Sequence, residues 1–230
     1  MIHQLIFAAP KPGMTEEEFQ QYWLNVHAVR YASKIPQIRK YLIDTRIPFW
    51  PDEGEPLWSG VAEIWLRDEK EQLESLQTPE FLDGARMDEP RWAAFWRTVV
   101  LDTDAHELVA APELAPEGGV KLIVLAKRKE GLPLPDFRSA SLGAHAELVA
   151  QVPGLRRYLQ CHVKDGAYAI GEAVLDAAHL LWFDDRDALA AALASPEFAK
   201  VKAHMEELAE PRYLHRMVVT EHWVIGPESR

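Results

Sequence analysis

One stretch of the chain occurs twice, which constrains it to fold as two copies of one unit. Residues 19–42 read FQQYWLNVHAVRYASKIPQIRKYL, and residues 137–159 read FRSASLGAHAELVAQVPGLRRYL. With one gap after Ala32 and Ala150, eight positions are identical: Phe19/Phe137, His27/His145, Ala28/Ala146, Ala32/Ala150, Pro36/Pro153, Arg39/Arg156, Tyr41/Tyr158 and Leu42/Leu159. Chance gives about one or two such matches in a window of this length. The order holds downstream, where Trp65 matches Trp182 and Pro79-Glu80-Phe81 matches Pro196-Glu197-Phe198, both 117 apart. The halves are therefore 1–108 and 120–230. The Pro-, Gly- and Ala-rich segment 109–119 reads as the linker between them.

Each half has the same order of elements. Residues 2–9 and 121–127 read as strands, and a Pro/Gly turn follows each. Thr15 with Glu18 forms a capping-box pattern at the start of a helix that runs to about Ser33, with its copy at about 136–151. Pro36 and Pro153 end these helices. Strands are expected at 39–43 and 156–160, and again at 60–66 and 177–183. Helices follow at about 69–77 and 186–194. The last strands are expected at about 98–103 and 217–225. The order β-α-β-β-α-β is ferredoxin-like. Such sheets carry helices on one face and leave the other apolar. The expected fold is α+β, with the two halves packed sheet to sheet within one chain.

Composition removes several classes of function. The formal charge is 25 − 36 = −11, which argues against nucleic acid and against an anionic membrane surface. No apolar run approaches the roughly 18 residues needed to cross a bilayer, and the N-terminus lacks the basic and apolar regions of a secretion signal. The single cysteine, Cys161, cannot form an internal disulfide. The expected location is a reducing cytoplasm.

The stretch from Lys11 to Ala28, KPGMTEEEFQQYWLNVHA, resembles the signature of EthD-type domains. So do Ile35-Pro-Gln-Ile-Arg-Lys-Tyr41 and Gly60-Val-Ala-Glu-Ile-Trp-Leu66. The resemblance covers nearly all of both halves, but in the second Ser141 replaces the motif Trp and Leu180 the motif Glu. EthD-type domains belong to the dimeric α+β barrel superfamily. That resemblance implies the barrel fold, built within one chain. It also implies a range of chemistries: cofactor-free oxygenation of aromatic polyketides, cyclisation, decarboxylation, isomerisation and haem chemistry.

Successive residues of the first helix turn by about 100°, and Phe19 marks zero. Tyr22 falls at roughly −60°, Val26 at −20°, Arg30 at 20°, Trp23 at 40° and His27 at 80°. His27 thus stands at the margin of an apolar stripe and Arg30 in its middle. Histidine carries protons near neutral pH, but a half-buried imidazole bonded to a carbonyl needs no chemistry. Arg30 would hold a substrate carboxylate or enolate, or would pair with Glu63, or would reach past the stripe to solvent. Glu63 shares a strand face with Val61 and Trp65 and would orient His27 or pair with Arg30. His179 faces opposite to Trp182 and could look into the sheet–sheet interface. The nine histidines show no ligand spacing on one clear face, so no metal is expected. Most tryptophans read as core. The Pro-rich loop 45–57, with Phe49 and Trp50, could lid a pocket.

Two functions follow. One is a cofactor-independent enzyme doing His-assisted proton transfer, in cyclisation, dehydration, decarboxylation, isomerisation or cofactor-free oxygenation, on an apolar, aromatic or polyketide-like molecule. His27, Glu63 and Arg30 would be catalytic, and Trp23, Tyr22, Trp65, Tyr41 and Phe49 would bind substrate. The first half should hold the larger and more polar pocket. The other function is a non-catalytic protein that binds a hydrophobic ligand or serves a pathway as an accessory. No cofactor, nucleic acid or membrane is expected as a partner under either reading, and a homodimer is among the assemblies left open.

Overall fold

The computed structural model describes residues 1–51, 54–111, 119–228 and 230. Of the expected linker, positions 112–118 lie outside the described residues. The chain forms two compact units, Met1–Asp102 with Glu221–Arg230, and Thr103–Thr220.

In the first unit β1 (Ile2–Ala8) leads to α1 (Glu16–Tyr22), a π-helical turn (Trp23–His27) and α2 (Ala28–Arg30). Then come β2 (Lys40–Arg46), β3 (Gly60–Leu66), α3 (Glu69–Ser75), a second π-helical turn (Glu80–Ala85), α4 (Arg86–Asp88) and the start of β4 (Val99–Val109). The second unit repeats the order. It has β5 (Val120–Arg128), α5 (Leu134–Ala140), a π-helical turn (Ser141–His145), α6 (Ala146–Val149), β6 (Arg157–Val163), β7 (Ala177–Phe183), α7 (Arg186–Leu193), α8 (Pro196–Leu208) and β8 (Ala209–Ile225). The fold is α+β with a ferredoxin-like order in each repeat. Within the first unit β3 pairs with β1 and β2; within the second β7 pairs with β5 and β6, β5 with β8, and β6 with β4, all antiparallel.

Local sequence explains the starts of the helices. The Thr15 hydroxyl accepts from the Glu18 amide at 3.2 Å, and the Glu18 carboxylate accepts from the Thr15 amide at 2.8 Å, closing the expected capping box. Asp68, Asp185 and Ser195 cap α3, α7 and α8 by accepting from the backbone amide three residues on. No helix among the described residues is long and apolar enough to cross a membrane.

The sheet register fixes which residues face the helices. In the first unit β3 lies antiparallel between β1 and β2, with Glu63 opposite both Leu5 and Leu42. Tyr41, Ile43, Ala62 and Ile64 cluster with Phe19, Trp23, Ala28 and Trp92 from the helical side. Side chains alternate along a strand, so Leu42, Asp44, Glu63 and Trp65 point to the opposite face. The two last strands exceed their expected lengths. β4 has 11 residues and β8 has 17. Most of their extra residues are exposed, and pairing with β6 and β5 holds them in the sheet instead of an apolar stripe.

Candidate active site

The π-helical turn decides where His27 points. The Ala28 amide donates to the Trp23 carbonyl, five residues back. One extra residue in a turn retards everything after it by about 100° relative to an α-wheel. His27 thereby moves from the margin of the apolar stripe into it and is 6% exposed. Arg30 moves out of the stripe and is exposed at the surface. The expectation that Arg30 faces the cleft is corrected on this ground.

His27 does not meet Glu63 either, because Glu63 lies on the sheet face away from the helices. The partner of His27 is Asp88, at the end of α4. Nδ1–H of His27 donates to Asp88 Oδ2 at 3.0 Å, and the Tyr22 hydroxyl donates to Asp88 Oδ1 at 2.8 Å. Asp88 is 2% exposed. Both of its oxygens are thus engaged, as a buried carboxylate requires. The Trp92 ring stands 4.7 Å from that of His27, and Tyr31 stands 6.4 Å away. The Trp92 indole N–H is buried with no hydrogen-bond acceptor among the described residues. Nε2 of His27 has no hydrogen-bond partner among those residues and is not sealed from solvent. Burial lowers the pKa of His27, and Asp88 opposes that shift. Burial and Asp88 both raise that of Tyr22, which stays a donor. An open groove of about 550 Å³ runs alongside, lined by Lys11, Gly13, Met14, Glu18, Gln21, Tyr22 and Val26. Tyr22 lines the groove and bonds to Asp88, and so links the groove to the His27–Asp88 dyad.

The remaining expected residues divide between the two faces. Trp23 is 2% exposed and Tyr41 is 1% exposed, both in the helix-facing core. Burial raises the pKa of the Tyr41 hydroxyl. On the far face, His3 Nε2–H donates to Glu63 Oε2 at 2.6 Å, and His3 stacks on Trp65 at 4.4 Å. Trp65 in turn stacks on Trp223 at 5.7 Å. Phe49 packs edge-on against Trp50 at 5.1 Å in the segment after β2. Asp44, Glu63 and Glu221 bring carboxylate oxygens within 4.8 Å of one another, a separation that could hold a cation. Asp88 was missed in the sequence although a signal exists: Phe81, Ala85, Asp88 and Trp92 recur at helical spacing, which puts a carboxylate on an apolar stripe.

The second unit also buries polar groups on the helix-facing side of its sheet. Where the first unit has Trp23, Ile43 and Ala62, it has Ser141, Gln160 and His179. The Gln160 amide donates to the Tyr158 hydroxyl and the Ser141 carbonyl, both at 2.7 Å. Its oxygen accepts from the Ser141 hydroxyl and from His162 Nε2–H, both at 2.8 Å. Tyr158 then donates to His179 Nδ1 at 2.7 Å. His179 therefore faces this core and not the opposite side of the sheet, with its ring 5.3 Å from that of His145. At the place of Asp88 stands Met205, and its neighbour His204 meets His145 instead, Nδ1 to Nδ1, at 3.3 Å. Burial and His204 push the His145 pKa down to about 4.

The EthD domain model matches residues 11–95 and 129–212, which is most of the chain. The chain belongs to the EthD family. No curated relative matches the sequence. Among solved structures, an anthrone oxidase-like protein superposes with a TM-score of 0.67 at 10% identity, over 97% of this chain and 92% of the other. A candidate monooxygenase from Lactobacillus acidophilus NCFM gives 0.58 at 12% identity, over 100% and 98%. These likenesses establish a shared fold. An ethyl tert-butyl ether degradation family protein from Bacillus halodurans C-125 is 24% identical over 44% of this chain and 95% of its own, with a TM-score of 0.38.

Proposed function

We propose that this EthD protein is a cofactor-independent enzyme in which His27 moves a proton on a small, apolar, aromatic substrate. It would work in the cytoplasm. The observation that carries this reading is the His27 imidazole, held at Nδ1 by Asp88 and bearing no partner at Nε2 among the described residues. Asp88 fixes the tautomer with Nδ1 protonated, so Nε2 presents its lone pair. Nε2 takes a proton from an acidic C–H or O–H of the substrate, and Asp88 stabilises the imidazolium that forms. The orphaned Trp92 indole N–H, beside the ring, donates to the enolate oxygen that develops. Tyr22 completes the set by filling the second oxygen of Asp88 at the edge of the groove. That proton transfer is common to cyclisation, dehydration, decarboxylation, isomerisation and cofactor-free oxygenation. The overall reaction then depends on the substrate.

The anthrone oxidase-like neighbour suggests a probe. Anthrone, a carbon acid, is incubated with the full chain in D₂O without oxygen, and exchange of its methylene protons is followed by NMR. The protein should accelerate exchange, and His27→Gln should reduce the acceleration by about 10²–10⁴-fold. His145→Ala should leave it largely intact. Exchange unaffected by His27→Gln would remove His27 from the mechanism. Binding of the probe with no exchange would favour the non-catalytic, ligand-binding alternative.

A further inference from the structure

The geometry points to a site for a divalent first-row transition metal in the second unit, bound by His145, His179 and His204. The three residues come from the π-helical turn, β7 and α8. Metal–nitrogen bonds of about 2.0–2.1 Å at tetrahedral angles place two nitrogens about 3.3–3.4 Å apart. Nδ1 of His145 and Nδ1 of His204 stand 3.3 Å apart. That separation is within reach of an N–H···N hydrogen bond, and it equally suits two ligands of one ion.

His179 supplies the second line of argument. It is 1% exposed, and its Nε2 is buried with no hydrogen-bond partner among the described residues. The network explains how that arises. Gln160 donates to the Tyr158 hydroxyl, so Tyr158 donates onward to His179 Nδ1, and the ring proton is left on Nε2 with nothing to accept it. A metal ion resolves this. When His179 shifts its proton to Nδ1, that N–H is held by the Tyr158 oxygen, the Tyr158 hydroxyl proton rotates away from the ring, and Nε2 is free to ligate. A ligating histidine is normally fixed through its other ring nitrogen in this manner.

The three nitrogens are not preassembled, because only the His145–His204 pair stands at ligand separation. The His179 ring, 5.3 Å from that of His145, turns inward on binding. Half-buried His204 leaves the remaining coordination position open to water or a small ligand. The repeat thus carries a carboxylate–imidazole dyad in one unit and an all-imidazole set in the other. Borderline ions such as Zn²⁺, Co²⁺, Ni²⁺ and Cu²⁺ suit imidazole, whereas Mg²⁺ and Ca²⁺ prefer oxygen.

The test uses the metal-free full chain titrated with Co²⁺ and Zn²⁺. Co²⁺ should bind at one per chain with the intense visible bands of a four-coordinate ion, and Zn²⁺ should displace it and raise the melting temperature. His204→Gln changes a half-exposed residue and should fold normally. It should weaken Zn²⁺ binding at least tenfold. His106→Gln, at an exposed histidine of the same unit outside the site, should bind as the parent does. The proposal is overturned if neither ion binds at millimolar concentration, if Co²⁺ shows only the weak bands of an octahedral ion, or if His204→Gln binds as tightly as the parent. A loss of affinity in His106→Gln equal to that in His204→Gln would overturn it too, by assigning the metal to surface histidines.

Discussion

Burial drives the His27 imidazole toward its neutral form, and Asp88 pulls it back. In the other unit His204 adds to the effect of burial on His145. Two histidines at one repeat position therefore differ as bases because of what stands opposite them. Asp88→Asn should expose this difference. Loss of the carboxylate removes what holds the His27 pKa up, so the acid limb of the exchange rate should move to lower pH. The plateau should also fall by about 10²-fold or more, since the imidazolium loses its stabilising charge. A plateau that falls with an unmoved acid limb would mean that Asp88 acts on packing alone. Glu89, next in the chain, is raised from 4.5 to about 7, chiefly by desolvation, with Arg86 opposing and Asp88 reinforcing the shift. A carboxyl whose folded pKa is raised loses stability as pH climbs from 4.5 to 7, because the unfolded chain releases its proton first. Glu89→Gln should therefore match the parent below that window and exceed it by about 1–2 kcal/mol at pH 8, after allowance for the half-exposed position. Urea unfolding at pH 4 and pH 8 checks it, and an advantage that does not grow with pH would refute it. His27 was legible in the sequence through its recurrence and its place by the stripe. Its partner was not, because 61 residues separate His27 from Asp88 and a single carboxylate on an apolar stripe passes as surface.

At the scale of elements, the π-helical turns account for most of the distance between expectation and structure. A wheel that advances 100° per residue carries no mark of an extra residue, so it put Arg30 in the stripe and His27 at its edge. The strand alternation around Glu63 was legible, but which face the helices cover was not. Gly60 shows how strand and helix are matched. A Cβ there would lie 2.7 Å from the Asp44 carbonyl oxygen and 3.0 Å from Trp23. In the second repeat the glycine is Ala177 and the tryptophan is Ser141, so the two positions change size together. Gly60→Ala should destabilise the protein by about 1–3 kcal/mol, as overpacking against backbone does. Ala177→Gly should cost no more than about 1 kcal/mol, the usual price of glycine in a strand. Denaturant midpoints measured at equal slope decide the matter, and a Gly60→Ala variant as stable as the parent would mean that Trp23 has room to yield. The polar ends of β4 and β8 were illegible for another reason. Their residues have no apolar period, and only a partner strand makes them strand.

The duplication visible in the sequence and the compact units of the molecule do not share boundaries, and stability follows the units. The first unit takes its last ten residues, Glu221–Arg230, from the end of the second repeat. Those residues are built into it. Thr45 Oγ1 lies 2.9 Å from His222 Nε2, Trp223 stacks on Trp65, and Val224 and Ile225 pack on the core that holds Phe19 and Trp23. Arg230 closes the unit by donating from Nε to the Ile38 carbonyl at 2.7 Å and from Nη1 to the Ser33 carbonyl at 3.0 Å. A fragment cut at the sequence repeat, residues 1–111, keeps the helices and four strands of the first half but loses all of these contacts. It also leaves the outer edge of β2 without the end of β8, and unpaired edges are where strands associate wrongly. Net stabilities of about 5–15 kcal/mol leave little margin for the loss of two half-buried rings, two apolar side chains and the backbone hydrogen bonds of a strand end. Fragment 1–111 should therefore show no cooperative thermal transition as a monomer. Co-expression with 119–230 should restore one near that of the intact chain, because the missing strand end is supplied in trans. Calorimetry of the two preparations at matched concentration is the measurement. A monomeric 1–111 that melts cooperatively would show that the repeat, and not the compact unit, is what folds.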